Sequence, residues 1–281
     1  MVDSLSLIAG EARTLPNRIA DHFIASIFTG VLLPGERLPP DRELALQLGV
    51  DRTSLRMAMQ RLAHLGLVKA VQGSGVRVLD YRRHAGVDLL AAVFALPDLA
   101  IGGSLMLELL DDWIAMIPIV FGHAIARMNH AAARELDAIL LRQLAIVKTG
   151  ADLDRLAALE VELQDGFARV VGRITLILLG NSNRAARLHL AKGYFETTDV
   201  REHIAVHREL LRKALQLAGS TDTELPLEYR AFLQERTEPL RQRLRALPIS
   251  PALLKPSADK RRKRRSASPR KAPVASNRKR G

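Results

Sequence analysis

The chain has no cysteine among its 281 residues, which excludes together a disulfide framework, thiolate metal ligation and a cysteine nucleophile. A long hydrophobic run is missing too. The longest nearly apolar stretch, Ile114 to Ala126, is interrupted by Pro118 and His123 and falls short of the roughly 20 residues that a bilayer span requires. The opening segment, MVDSLSLIAGEART, lacks the basic n-region and cleavage pattern of a secretory signal. These absences predict a soluble, cytoplasmic protein. No G-x-S-x-G, H-E-x-x-H or P-loop occurs, and no G-x-G-x-x-G follows a strand. No catalytic residue is therefore expected, and the chain reads as a non-enzyme.

What is present is apolar material, 48% of the residues, enough for two buried cores in a chain of this length. The net charge of +12 suggests nucleic acid, but its distribution changes the reading. From Lys255 to Gly281 there are twelve Lys/Arg and one acid, Asp259, so this segment alone supplies +11. Residues 1–80 carry nine basic and eight acidic side chains, and residues 81–254 carry 21 of each. A case for DNA binding must rest on where the N-terminal arginines sit.

Ile19, Phe23, Ile24, Ile27 and Phe28 repeat at helical spacing between Leu15 and Gly30. After Leu38-Pro39-Pro40, Asp41 is expected to cap a short helix through Leu48. Asp51 is expected to cap a second helix from Arg52 to His64, stopped by Gly66. Two short helices joined by a Gly-containing turn make a helix-turn-helix. Leu55, Met59, Leu62 and Ala63 form the expected inward face of its second helix, which leaves Arg52, Thr53 and Arg56 outward. The run LVKAVQGSGVRVL then reads as a glycine-rich hairpin, a wing. From Gly86 the pattern is helical almost throughout, predicting six or seven helices: Val87 to Phe94, Leu99 to Met128, Ala131 to Lys148, Asp152 to Leu179, Ser182 to Phe195, Val200 to Leu217 and Leu225 to Leu247. The last stretch, rich in Lys, Arg, Ser and Pro, has nothing to bury and reads as a disordered tail that attracts DNA phosphates without base preference. The expected fold class is mostly α: a winged helix-turn-helix at 1–80, an all-helical ligand-sensing and dimerisation bundle at 81–250, and a basic tail at 251–281.

The string PGERLPPDRELALQLGVDRTSLRMAMQRLAHLGLVKAVQGSGVRV resembles the DNA-binding domain of GntR-type regulators, with P-G, L-P, R-E-L-A, G-V, R-T-x-L-R and a G-x-G wing in family order. A helical C-terminal domain of this length is similar to the FadR subgroup. The resemblance implies a homodimer reading a palindromic double-stranded operator, often as a repressor. Arg42, Arg52, Thr53, Ser54 and Arg56 are the implied DNA contacts, with Gly73 and Gly75 in a wing that approaches the groove.

One kind of effector domain in this subgroup holds a divalent metal through an Asp and a His four residues apart, then two histidines about 22 residues apart. Here Gln164 and Ala168 are read at the first two positions, and no histidine follows His207. His203 and His207 have the i, i+4 spacing of a chelating pair, but without visible carboxylate or histidine partners they read as solvated or hydrogen-bonded residues. The expectation is therefore no metal and no cofactor. The segment AGVDLLAAVFALPD and the pair Tyr194-Phe195 are similar to the metal-free, fatty-acid-responsive kind. That similarity implies an acyl effector, a long-chain acyl-CoA, with Trp113, His123, Tyr194 and Phe195 as candidate contacts. Two alternatives stay open: a regulator responding to a small organic acid, and a nucleoid-type DNA-binding protein.

Overall fold

The computed structural model describes residues 14–72, 75–96, 102–150, 152–221 and 223–247. The wing residue Gly73 and the basic tail at 251–281 lie outside the described residues. The fold is predominantly helical, with one two-stranded sheet among the described residues.

α1 (Leu15–Phe28) begins with proline in its first turn and buries Ile19, Ala20, Phe23, Ile24, Ile27 and Phe28 on one stripe, as their spacing requires. α2 (Asp41–Leu48) and α3 (Arg52–His64) are joined by Gly49, whose φ of 65° is the left-handed turn that a side chain would oppose. The Asp51 carboxylate accepts from the Ser54 backbone N–H at 2.8 Å, so the expected cap on α3 forms. The expected cap on α2 does not. Asp41 lies inside that helix, which starts from Pro40 with no side-chain cap, and its carboxylate turns instead to Arg56, 3.4 Å from Nε. On α3 the buried residues are Leu55, Ala58, Met59 and Leu62. Ala63, expected inside, is exposed, because the inward stripe runs one step earlier through Ala58.

Gly66 could be no other residue. Its φ is 71°, and a Cβ built on it would stand 2.3 Å from the His84 carbonyl oxygen. β1 (Val68–Val71) and β2 (Gly75–Val78) follow, antiparallel, with Val68 opposite Val78 and Lys69 opposite Arg77. The preceding loop adds a third lane on the far side of β2, where Gly35 and Leu38 donate to Val78 O and Val76 O and Arg37 faces Arg77. Val68 and Val78 point into a core shared with α1, α2 and α3.

A single turn, α4 (Tyr81–His84), leads to α5 (Val87–Phe94). This short helix belongs to two cores. Leu89, Ala92 and Val93 pack with the N-terminal residues, whereas Phe94 enters the bundle core and meets the His189 ring at 5.1 Å. The bundle then runs α6 (Gly103–Ile125), α7 (His130–Thr149), α8 (Leu153–Val171), α9 (Ile174–Ser182), α10 (Arg184–Phe195), α11 (Val200–Gln216), α12 (Glu224–Arg236) and α13 (Glu238–Arg245). Two expected helices are each split in two. The run from Asp152 breaks at Gly172, which ends α8 at a φ of 69°. The run from Leu225 breaks at Thr237, just before Pro239 in the first turn of α13, since proline lacks the donor a continuing helix needs.

α8 lies against α6, α7 and α10, with α11 against α7 and α12 against α6. At the centre Phe121 meets Phe167 and Tyr229 edge-on, each at 5.3 Å. Burying such a ring contributes roughly 1.5–3 kcal/mol. No described helix is long and apolar enough to cross a membrane.

Candidate functional site

Two regions concentrate polar chemistry. The first is the outer face of α3. Arg52, Thr53 and Arg56 are exposed together, because the apolar stripe on the opposite face is committed to the core. Gln60, which helical period and residue type alone did not single out, is exposed one turn further on. Ser54 is half-buried, with its N–H held by Asp51. Arg42 is exposed on α2. Gly75 opens β2 with a φ of 74°. Guanidinium forks and hydroxyls projecting from the first two turns of a helix suit phosphates and base edges in a major groove.

The second region is a polar centre inside the bundle. Glu160 on α8 is fully buried, and burial alone would raise its pKa. Attraction to the His203 ring and the hydrogen bond it donates outweigh burial. Gln164 adds a further donor, and the carboxyl is held at about 2. His203 Nε2 lies 3.0 Å from Glu160 Oε2, Gln164 Nε2 donates to Glu160 Oε1 at 3.2 Å, and Gln143 Nε2 donates to Oε2 at 3.3 Å. Because a carboxylate only accepts, His203 Nε2 carries a proton. Its other nitrogen meets the Tyr194 hydroxyl at 3.1 Å.

His207 completes the centre in the opposite sense. Its Nδ1 donates to the His203 carbonyl oxygen at 2.8 Å, so Nε2 accepts from the Tyr229 hydroxyl, also at 2.8 Å. Burial, reinforced by repulsion from His203, pushes His207 down to about 3, which keeps it neutral. Burial also raises both tyrosines, so they remain phenols. The network reaches the surface through Gln164, whose oxygen accepts from Arg187. Arg187 in turn donates to Asp165 and to the Gly180 carbonyl at the end of α9. The Gln143 side-chain oxygen has no donor among the described residues.

The i, i+4 pair that faces His203 and His207 is thus Glu160 and Gln164, one turn before the Gln164 and Ala168 read from the sequence. The histidine pair has a carboxylate partner after all. Glu160, His203 and His207 each offer one ligand atom within 4.8 Å, which makes a cation worth testing against the geometry. All four imidazole nitrogens already have hydrogen-bond partners, and Tyr229 stands where a further histidine would be needed. A cation would have to break the His203–Glu160 and His207–Tyr229 bonds. The arrangement is a closed hydrogen-bonded set and does not fit a metal.

Among the candidate effector contacts, the structure brings three together. Trp113, Tyr194 and Phe195 are buried, with ring centroids 5.8 Å apart for Trp113–Tyr194 and 5.3 Å for Tyr194–Phe195. His123 is not with them. It is exposed and borders a surface groove of about 490 Å³ with Pro118, Ile119, Pro226 and Leu227.

Residues 15–78 match the family described as bacterial regulatory proteins, gntR family. The chain is 45% identical over 78 residues to the HTH-type transcriptional regulator Mce2R of Mycobacterium tuberculosis, covering 28% of this chain and 32% of the relative. It is 38% identical over 130 residues to an uncharacterized HTH-type transcriptional regulator of the same species, covering 46% and 52%. It is 28% identical over 185 residues to the fatty acid metabolism regulator protein of Serratia proteamaculans, covering 65% and 73%. The matched region thus spans a third to about half the length of the two mycobacterial relatives. The chain carries, at residues 15–78, a helix-turn-helix domain of the gntR family.

Proposed function

We propose that the protein is a homodimeric, sequence-specific DNA-binding transcription regulator whose affinity for DNA is set by a long-chain acyl-CoA bound in the helical bundle. The observation that carries the DNA half is the single outward face of α3, where Arg52, Thr53, Arg56 and Gln60 are all exposed on a helix whose other side is locked into a core. One such module covers too little DNA for strong specificity. A two-fold pair places two reading helices at half-sites about 34 Å apart.

The acyl half draws support from two sources. A relative named for fatty acid metabolism matches well into the bundle, over 185 residues. The bundle core itself is lined by Leu, Ile, Phe and Trp113 around the polar centre, and a long acyl chain gains roughly 0.8 kcal/mol per methylene in such an interior. α5 gives the ligand a route to DNA. It packs on α1 at one side and on α9 and α10 at the other, so a bundle that opens for a ligand shifts the seat of the reading domain. Binding then lowers DNA affinity by favouring a dimer whose reading helices no longer match the half-site spacing.

Titration of acyl-CoAs of increasing chain length into a protein–operator mixture tests this reading. Release of DNA that sharpens with chain length supports it. Release by a dicarboxylate, with no response to any acyl-CoA, contradicts it.

A further inference from the structure

We propose that Arg37, Arg77 and Lys69 form a cation ladder on the wing sheet that grips successive phosphates of one DNA strand beside the base-reading helix. The register places them. Lys69 is directly opposite Arg77 across β1 and β2, and Arg37 is directly opposite Arg77 on the far side of β2. Residues directly opposite in a sheet project on the same face, so three cations stand side by side on three adjacent lanes. Val78 donates to Glu36 O and Leu38 donates to Val76 O, both at 2.9 Å. These bonds flank the Arg37–Arg77 pair and make it a non-hydrogen-bonded pair, the kind whose side chains stand closest.

Such a row opposes folding, because like charges directly opposite one another destabilise a sheet, and no described acid forms an ion pair with it. None of the three forms an ion pair or side-chain hydrogen bond among the described residues. Most of the described acids of the domain are committed elsewhere, and Glu36, beside Arg37 in the same lane, falls on the opposite face of the sheet by strand alternation. Asp21 pairs with Arg61 and Asp41 with Arg56, Asp51 and Asp80 cap helices, and Glu43 accepts from Gln47. The near-neutral balance of residues 1–80 therefore conceals a local excess of positive charge. Its sheet is anchored from behind by buried Val68 and Val78, with Arg37 and Lys69 exposed and Arg77 half-buried.

The chemistry that relieves such a row is a matching row of anions at fixed spacing. Three lanes at the usual strand separation span about 10 Å, and a DNA strand advances about 3.4 Å along its axis per phosphate. About 10 Å is three such steps, so each of the three cations can meet its own phosphate and the ladder neutralises at most three. β1 follows α3 directly and packs against it, so the phosphates gripped are those bordering the groove that α3 enters. Phosphate contacts carry no base information, so the ladder sets affinity and orientation and leaves the choice of sequence to α3.

This inference rests on the DNA-reading function proposed above, and its test separates the two. The full-length protein first selects a duplex from a random pool. Binding to that duplex is then measured against salt for wild type, for Arg37→Thr, Lys69→Thr and Arg77→Thr singly, and for the triple variant. Threonine keeps the strand propensity. The slope of log affinity against log salt should fall by about 0.9 for each phosphate that is no longer neutralised, hence by about two to three in the triple variant, with the selected sequence unchanged. Without DNA and at low salt, the variants should unfold at the same or a higher temperature than wild type, because repulsion has been removed. Arg37→Lys and Arg77→Lys, which keep the charge, should keep the slope. Selection of a sequence by wild type, with an unchanged slope in the folded single and triple variants, overturns the ladder alone. Failure of wild type to bind any duplex overturns the ladder together with the regulator reading.

Discussion

The Tyr229 hydroxyl donates to His207 Nε2 at 2.8 Å inside the bundle, where α11 and α12 pack together. Because His207 Nδ1 is already committed to the His203 carbonyl, Tyr229 is the one donor that satisfies the remaining lone pair. Tyr229→Phe should cost about 1–3 kcal/mol of stability, the usual penalty of an orphaned buried acceptor. Urea unfolding at neutral pH measures it. A midpoint unchanged from wild type would show that the acceptor finds another partner.

Acid should unfold the bundle in two stages. His207 titrates at about 3 in the folded protein against an ordinary 6.5. Between those values the unfolded chain takes a proton that the native state refuses, so stability falls as pH drops below 6.5. Glu160, held at about 2 against 4.5, adds a further loss as pH falls from 4.5 toward 2. The thermal midpoint should be level near neutrality and decline from about pH 6.5 downward. His207→Gln, which supplies a donor and an acceptor without titrating, should remove the upper part of that decline and leave the lower. A profile of His207→Gln that parallels wild type would assign the upper stage to another group.

The closed geometry of the polar centre predicts indifference to metals. Zinc, nickel or manganese, and equally a chelator, should leave the thermal midpoint unchanged, since binding a cation to the native state alone would raise it. A rise that depends on metal concentration and disappears in Glu160→Gln would reverse the assignment.

Arg56, half-tethered by Asp41 and largely exposed, is the residue of α3 that the proposed function assigns to a base edge. Arg56→Ala should weaken binding to the selected operator by about 1–3 kcal/mol and relax preference at one base position. Circular dichroism should be unchanged, because the side chain is largely exposed. Full affinity in a folded Arg56→Ala protein would move the reading role elsewhere on α3.

Much of this organisation is legible in the sequence. The helix-turn-helix announces itself through local signals, Asp51 before α3 and Gly49 and Gly66 at the turns, and these act within a few residues of where they stand. The outward set Arg52, Thr53 and Arg56 follows from helical period alone. Breaks at Gly172 and Thr237 are harder to see, because the apolar pattern continues across both. Asp41 looks like a cap because its type suits one, yet a partner 15 residues away, Arg56, claims its carboxylate. The polar centre is hidden for the same reason on a larger scale. Glu160, His203 and Tyr229 are joined only by tertiary packing, and a Glu within a helical stretch reads as a surface residue. The cation ladder depends on strand register, which neither composition nor the near-neutral charge of the domain reveals.

The most direct test of the central claim is a footprint of the full-length protein on DNA fragments carrying a duplex selected from a random pool. A dimeric reader of half-sites predicts protection of one short palindrome, two half-sites about one helical turn apart, with the flanks left open. Uniform protection of every fragment would identify a nonspecific nucleoid-type binder, and protection of none would contradict the DNA-reading assignment altogether.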